Sequence, residues 1–251
     1  MELQEIVQYL NEYFAPYFPQ KDVSQNGLQV DANVPVTKIA TAVDACMSTF
    51  EKVQKENAQL LLVHHGLFWG KSLLINGIHG NRIRFLMQHG ISLYGMHLPL
   101  DMHAEIGNNV MIAKKLGWEI VKPFGCYHDM SIGVEAHLAE QKPLQEVVQQ
   151  VEKLTGSSCR VLDFGKQSVQ KIGIVSGGGA SELDLAASSK LDVLLTGEGG
   201  HVNYHQALEQ NMNVIYAGHY ATETFGIYAL GEHLHEKFGL PHIFIDNATN
   251  Y

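Results

Sequence analysis

The sequence predicts an α/β fold made of two related halves, with mostly parallel sheets packed around a shared cleft. Short runs of small and β-branched residues alternate with segments of helical periodicity, which is typical of parallel sheets covered by helices. This alternation occurs twice along the chain. Histidines and carboxylates recur where the predicted strands end, at the edge where open α/β sheets bind ligands.

The first half, residues 1–125, opens with an amphipathic helix, because apolar residues recur at helical spacing from Leu3 to Phe14. Pro16 and Pro19 are expected to end this helix. The continuous apolar run Leu60–His64 indicates a strand buried on both faces. The other expected elements of this half are strands at Lys38–Ala45 and Ile91–Met96, and helices at Met47–Asn57, Gly77–Gln88 and Asn108–Leu116.

The second half, residues 171–251, repeats this order of strands and helices. Residues 126–170 form a connecting excursion, in which strands surround one helix, Leu144–Leu154. The excursion is too short for a domain of its own, and the whole chain could be one composite domain. The expected strands of the second half are Lys171–Val175, Leu191–Leu195, Val214–Ala217 and His242–Ile245, and the helices are Glu182–Ser189, Val202–Gln210 and Phe225–Phe238.

Matching spacing indicates that the halves are copies of one another. Lys38 opens Lys-Ile-Ala and Lys171 opens Lys-Ile-Gly, and His65 and Glu198 each lie 27 positions further on (65 − 38 and 198 − 171). The next strand of each half is followed by a histidine and, four positions later, an acid. These pairs are His97 with Asp101 and His219 with Glu223.

Composition excludes several classes of protein. A net charge of −9 argues against wrapping nucleic acid or an anionic membrane, since both require a basic surface. No apolar run is long enough to span a bilayer, and the acidic start lacks the basic region of a signal peptide. The three cysteines form no Cys-x-x-Cys pair, which favours a reducing compartment. The sequence therefore predicts a cytoplasmic protein.

Five side chains are the candidate ligands of a centre of two divalent metal ions, each just beyond a predicted strand. Three imidazoles and two carboxylates exceed what one catalytic zinc requires, and a carboxylate can bridge two ions about 3.5–4 Å apart. Mixed nitrogen and oxygen donors favour zinc, manganese or iron over calcium or magnesium. The five ligands are His64, His65, Asp101, His219 and Glu223.

Each ligand also has an ordinary structural interpretation. A single histidine at a strand end is more often a hydrogen-bonded core or surface residue. Asp101 could cap a turn or helix, and Glu223 could be a first-turn acid favoured by the helix dipole. These interpretations do not explain why the same residue types recur at matching positions of two halves.

Further polar residues are assigned roles near the metals or at separate sites. His97 and Glu198 are the candidate catalytic groups, since they occupy the positions equivalent to His219 and His65. His103 could contact a substrate, and His201 and His205 have a metal-compatible spacing that also suits an ordinary helix surface. The Gly177–Gly179 loop is either a phosphate site or a tight structural turn, and it matches no nucleotide fingerprint.

Six motifs together resemble the NIF-three-like dinuclear metal-centre family, whose members are often labelled "GTP cyclohydrolase 1 type 2 homolog". The resemblance covers nearly the whole chain and is to the shorter bacterial members. It implies the same five metal ligands and a ring-shaped homohexamer, a trimer of dimers. The motifs are Asn26-Gly27-Leu28-Gln29-Val30, Val63-His64-His65-Gly66, His97-Leu98-Pro99-Leu100-Asp101, Gly107-Asn108-Asn109, Thr196-Gly197-Glu198 and Gly218-His219-Tyr220-Ala221-Thr222-Glu223.

Three functions compete at this point. The first is a metal-dependent hydrolase, in which water attacks a carbon or phosphorus centre of a small molecule such as a GTP-like purine. The second is a non-enzymatic metal carrier or an assembly scaffold that forms a hexameric ring. The third is a ring that encircles nucleic acid, against which the net charge of −9 counts.

Overall fold

The computed structural model describes residues 1–18 and 21–249, and these contain two separate β-sheets with helices. The predicted α/β class is therefore confirmed. Pro19 lies outside the described residues, whereas Pro16 follows the first helix as predicted, within a short 3-10 turn at Ala15–Tyr17. The strands are β1 Gly27–Val30, β2 Ile39–Asp44, β3 Leu60–His65, β4 Ser92–Gly95, β5 Glu119–Phe124, β6 Gly133–Pro143, β7 Arg160–Asp163, β8 Ser168–Val175, β9 Val193–Thr196, β10 Asn213–Tyr216 and β11 His242–Phe244.

The helices agree with the predicted ones to within a few residues, and two short helices, α4 and α9, were not predicted. Each begins three positions after the last residue of a strand, and each carries a candidate ligand. The helices are α1 Leu3–Phe14, α2 Met47–Lys55, α3 Gly77–Gln88, α4 Leu98–Asp101, α5 Asn108–Leu116, α6 Leu144–Thr155, α7 Leu183–Ser188, α8 Val202–Glu209, α9 His219–Thr222 and α10 Thr224–Phe238.

The first compact unit consists of Met1–His103 and Gly226–Asn247. Its five-stranded sheet has the order β1-β4-β3-β2-β11, and every neighbouring pair is parallel except β1 with β4. The four apolar residues of β3, Leu60–Val63, are fully buried. This confirms the prediction of a strand buried on both faces, because a strand exposed on one face would alternate between buried and exposed residues.

The second unit consists mainly of Ala104–Phe225 and holds a six-stranded sheet of order β5-β6-β8-β9-β10-β7. Side chains of β9 alternate between its two faces: Val193 and Leu195 pack with α5 and α6, and Leu194 packs with α7 and α8. The sheet is thus covered by helices on both sides, as expected of a buried parallel core.

The expectation of mostly parallel sheets is wrong for this second sheet. Of its described strands, only β8, β9 and β10 run parallel, whereas β5, β6 and β7 each pair antiparallel with a neighbour. These three strands come mainly from the predicted excursion. The loop between β5 and β6 is short, and a short connection permits only antiparallel pairing, since parallel strands need a long crossover.

The boundaries of the units differ from the division at residues 125 and 171. Strand β5 belongs to the second sheet and β11 to the first, so each unit takes a segment from the other half of the sequence. Even so, β2-β3-β4 and β8-β9-β10 are equivalent parallel runs within their own sheets. Among the described residues, no helix has both the length and the apolar character needed to cross a membrane.

Candidate metal centre

Three histidines meet at one edge of the first unit. His64 and His65 end β3, and His97 lies two residues after the end of β4. Because β3 and β4 pair in parallel, their carboxyl ends lie at the same edge of the sheet. One ligand atom from each imidazole lies within 4.8 Å of the others, a separation that one metal ion can span. The structure therefore brings His97 into contact with two predicted ligands.

His64 is oriented by a backbone carbonyl. Its Nδ1 lies 3.1 Å from the Met96 carbonyl oxygen, which can only accept, so the ring donates from Nδ1. In the neutral ring Nε2 is then an electron-pair donor, and it lies 3.5 Å from Oδ2 of Asp101. Both side chains are buried. A nitrogen lone pair facing a carboxylate oxygen in a buried site fits a bound cation.

Carboxylates hold the other two rings. His65 Nδ1 donates to Oδ1 of Asp44 at 2.9 Å, and His97 Nδ1 donates to Oδ1 of Asp22 at 3.0 Å. Burial would raise the pKa of Asp22, but hydrogen bonds from His97, Asn26 and the Ser24 backbone hold that pKa below its usual value. Such carboxylate–histidine pairs fix the tautomer and ring orientation of metal-bound histidines.

The first of the motif segments supports these loops. Asn26 accepts the backbone N–H of His97 at 2.7 Å and donates to Asp22 at 2.8 Å. Gln29 accepts the backbone N–H of Leu67 at 2.7 Å, and its amide packs against Gly66, where a Cβ would collide with it. Asn26 and Gln29 thus act as positioning residues for the chain around His65 and His97.

The second unit carries the remaining two candidate ligands after β10. His219 Nδ1 lies 2.8 Å from Oε1 of Glu198, and His219 Nε2 lies 3.2 Å from Oε1 of Glu223. The hydrogen bond with Glu223, aided by Glu198, raises the pKa of His219 to about 9, although burial acts in the opposite direction. Glu198 therefore orients an imidazole, the role that Asp44 has in the first unit.

A glycine makes room for this pair. A Cβ on Gly177 would collide with Oε1 of Glu223 and lie 3.1 Å from His219 Nε2. The backbone at Gly177 also has a φ of 60°, which favours glycine. Since the glycine follows β8, three neighbouring strand ends build this part of the site.

The Gly177–Gly179 loop is a structural turn. Its backbone N–H groups already donate within the protein: Ser176 to Asn109, Gly177 to Thr222 and Gly179 to Thr196, at 2.7–3.0 Å. These three groups are consequently not directed at a phosphate. Their bonding favours the turn interpretation of the two that the sequence left open.

Other predicted histidines lie away from these clusters. His103 is buried between Tyr13 and Tyr17, with ring centroids 4.6 Å from each, so it packs against aromatics. His201 and His205 are exposed at α8, and in the described chain they belong to no group of three or more metal-binding side chains.

Sequence reasoning missed Asp22 and Asp44. Asp44 ends β2 next to β3, so the rule that polar residues at strand ends converge would have found it. Asp22 lies in an irregular loop 75 positions from His97, and no local pattern marks it.

Comparison with known proteins gives one family. The family model for Duf34/NIF3 (NGG1p interacting factor 3) matches residues 1–251. A Pyrococcus horikoshii relative named "GTP cyclohydrolase 1 type 2 homolog" is 45% identical over 251 residues, covering 99% of each chain. A Deinococcus radiodurans relative of the same name is 42% identical over 246 residues, covering 98% of this chain and 93% of that one. A crystal structure of a Thermus thermophilus protein has a TM-score of 0.89 at 42% identity, and the match covers 100% of both chains.

Proposed function

The chain belongs to the Duf34/NIF3 family, and on this premise we propose that it is a dinuclear metal protein acting as a cyclohydrolase-like, metal-dependent hydrolase. The ligands in this proposal are the five residues that the sequence predicts, His64, His65, Asp101, His219 and Glu223. Zinc, manganese or iron suits this set of nitrogen and oxygen donors. The relatives' name, with its reference to GTP, suggests a purine-like substrate opened by water.

One observation carries the proposal. The Nδ1 of every imidazole in the set is hydrogen-bonded: His64 to a backbone carbonyl, and His65 and His219 to carboxylates. Nε2 is then the nitrogen that ligates, as in metal sites whose histidines are held by outer carboxylates. His235 and His242 are also bonded through Nδ1, but among the described residues they belong to no group of three or more metal-binding side chains.

Bound divalent ions would supply Lewis-acid polarisation and a more acidic water. The chain supplies the proton-handling groups. Glu198 is about one-third exposed, and its Oε1 is occupied by His219, so its Oε2 is the atom that would accept a proton. His97, held by Asp22, would be the second proton carrier or a further ligand.

The dinuclear centre can be tested by manganese loading. We expect about two ions per chain by elemental analysis, and an exchange-coupled electron paramagnetic resonance spectrum, since bridged ions lie about 3.5–4 Å apart. An uncoupled six-line spectrum at the same stoichiometry would contradict a shared centre and leave two separate sites.

Hydrolysis can be tested by a screen of nucleotides, phosphoesters and amides against metal-loaded protein. We expect a water-dependent product with at least one class, lost in a Glu198→Gln variant that still carries metal, because Glu198 is the proposed proton acceptor. Glu209→Gln, at the exposed last residue of α8, is the matched control, because it makes the same change of side chain away from the ligands. Metal-loaded protein inactive on all classes would favour the carrier function instead.

Metal binding should depend on pH through His219. Its pKa of about 9 means that the metal-free protein holds this proton at neutral pH, whereas a metal requires the unprotonated nitrogen. The protonated ring stabilises the metal-free fold below pH 6.5, and this stabilisation is lost as the pH rises towards 9. We expect affinity to rise between about pH 7 and 9, with about one proton released. Calorimetry in buffers of different ionisation enthalpy measures this release, and no release at neutral pH would contradict it.

We further propose self-association as a homohexamer, a trimer of dimers, as the family resemblance implies. Unit one exposes a compact apolar segment, in which Leu74, Ile75 and Ile78 are 78%, 68% and 75% exposed. Exposed apolar patches of this kind commonly mark interfaces. We expect Ile78→Asp to lower the mass measured by light scattering, and Ile78→Val to leave it unchanged. A hexamer that survives Ile78→Asp would place the interface elsewhere.

A cytoplasmic location is part of the same proposal. All three cysteines, Cys46, Cys126 and Cys159, are free thiols, which suits a reducing compartment. The net charge of −9 gives no support to a nucleic-acid partner. A small molecule remains the proposed partner of the metal centre.

A further inference from the structure

A cavity within unit two contains none of the candidate metal ligands. Its volume is about 530 Å³, within the range of small-molecule sites. None of the described residues that line it is an aspartate or a glutamate, although the chain as a whole carries a net charge of −9. Three lysines from three elements line it instead. They are Lys115 at the end of α5, Lys142 on β6 and Lys153 in the last turn of α6.

Two of these ammonium groups have no partner in the part of the chain that the structure describes. Lys142 forms an ion pair with Glu146, whereas Lys115 and Lys153 make no ion pair or side-chain hydrogen bond with any described residue. A last-turn lysine is favoured by the helix dipole, and that alone would explain Lys115 and Lys153. The helix dipole does not explain why a third lysine, on a strand, lines the same cavity. Nor does it explain why no aspartate or glutamate is among the described residues that line it.

An indole N–H adds a further donor to this lining. Trp118 lines the same cavity, and its indole N–H has no acceptor among the described residues. The N–H is therefore available to an oxygen of water or of a ligand. The lysine ammonium groups and this indole are all donors, and they call for an acceptor-rich, negatively charged ligand.

The rest of the lining is largely apolar. Leu116, Leu138 and Leu154 contribute to the wall, together with the Trp118 ring. We propose that this cavity binds a small organic anion, an aryl or alkyl phosphate or carboxylate. Its apolar body packs against the leucines, and its anionic group contacts Lys115, Lys153 and the Trp118 N–H. Phosphate and carboxylate share this chemistry, and separate probes distinguish them.

Fluorescence of Trp118 reports on the cavity directly. The full chain has two tryptophans, so a Trp69→Phe background leaves Trp118 as the sole indole. We expect phenyl phosphate, benzoate or both to change its emission saturably, and the neutral analogue benzyl alcohol not to do so. The probe that saturates identifies the anionic group. No saturable change with either anion would overturn the proposal.

Charge variants establish where the probe binds. We expect the double variant Lys115→Gln, Lys153→Gln to weaken binding about tenfold or more, because it removes two charge-assisted contacts. The matched control Lys55→Gln removes a last-turn lysine of α2 outside the lining and should leave binding unchanged. If the control weakened probe binding as much as the double variant, the effect would come from overall charge, and the proposed site would be wrong.

Calorimetry with Trp118→Phe tests the N–H separately, since phenylalanine retains an aromatic ring and lacks the donor. We expect weaker binding of the probe, measured well below the melting temperature, which should itself fall by a few degrees because Trp118 packs in the core of unit two. A phosphate that binds the metal centre instead would be insensitive to Trp118→Phe and to both lysine changes. That result would also overturn the proposal while leaving the metal centre intact.

Discussion

Replacing Gly177 with alanine is expected to weaken metal binding by His219 and Glu223. The new Cβ would collide with Oε1 of Glu223 and come within 3.1 Å of His219 Nε2. Glu223 is buried and paired with His219, so its carboxylate cannot move aside without breaking its own contacts. The positive φ adds about 1–2 kcal/mol of backbone strain. We expect metal affinity to fall at least about tenfold, which is about 1.4 kcal/mol.

Gly156→Ala is the matched control for this substitution. Gly156 has a φ of 71°, close to that of Gly177, but no atom of the described residues lies within 4 Å of an added Cβ. Gly156→Ala should therefore show the effect of backbone strain alone. We expect a loss of stability of about 1 kcal/mol, which lowers the melting temperature by several degrees, and full metal content. If Gly177→Ala retains as much metal as Gly156→Ala, the Glu223 carboxylate beside Gly177 is not a metal ligand.

Replacing His64 with alanine should have the second large effect. The side chain is fully buried, donates from Nδ1 to the Met96 carbonyl and lies 3.5 Å from Asp101. Its loss leaves a cavity, an unsatisfied carbonyl and a carboxylate without its neighbour. We expect the free energy of unfolding to fall by about 2–4 kcal/mol. Metal content should fall to about one ion per chain or fewer, as measured by elemental analysis.

His64→Asn separates the structural part from the metal part. The asparagine amide can take over the donor role of Nδ1 towards Met96, but it has no atom in place of Nε2. We expect it to recover part of the lost stability while its metal content stays as low as that of His64→Ala. Full metal content in either variant would remove His64 from the ligand set.

Periodicity and spacing predicted most of the elements. The apolar residues recur at helical spacing from Leu3 to Phe14 and form a continuous run at Leu60–Val63. Such patterns reflect which faces of an element are buried, and they can be recognised within a short stretch of sequence. The same holds for β8, β9 and β10, whose order and parallel pairing repeat those of β2, β3 and β4.

The pairing of the excursion strands was not predictable in this way. Strand β6 is eleven residues long and pairs with both β5 and β8. Its second half, residues 139–143, is largely exposed and shows no apolar pattern. Pairing partners are selected by backbone hydrogen bonds, which carry no residue signature. Its inclusion in the second sheet therefore depends on the tertiary fold.

The sequence alone determined which residue types stand at the strand ends. Because parallel neighbours end at one edge, it also placed His64 and His65 at the same edge as His97, and the structure shows that the three rings form one cluster. The tertiary structure decided what holds those rings: Asp22 reaches His97 across 75 positions, and Asp44 reaches His65 from a neighbouring strand. It also decided that Trp118 and three lysines would share a cavity. Contacts between distant segments depend on packing, and packing leaves no periodic trace in a sequence.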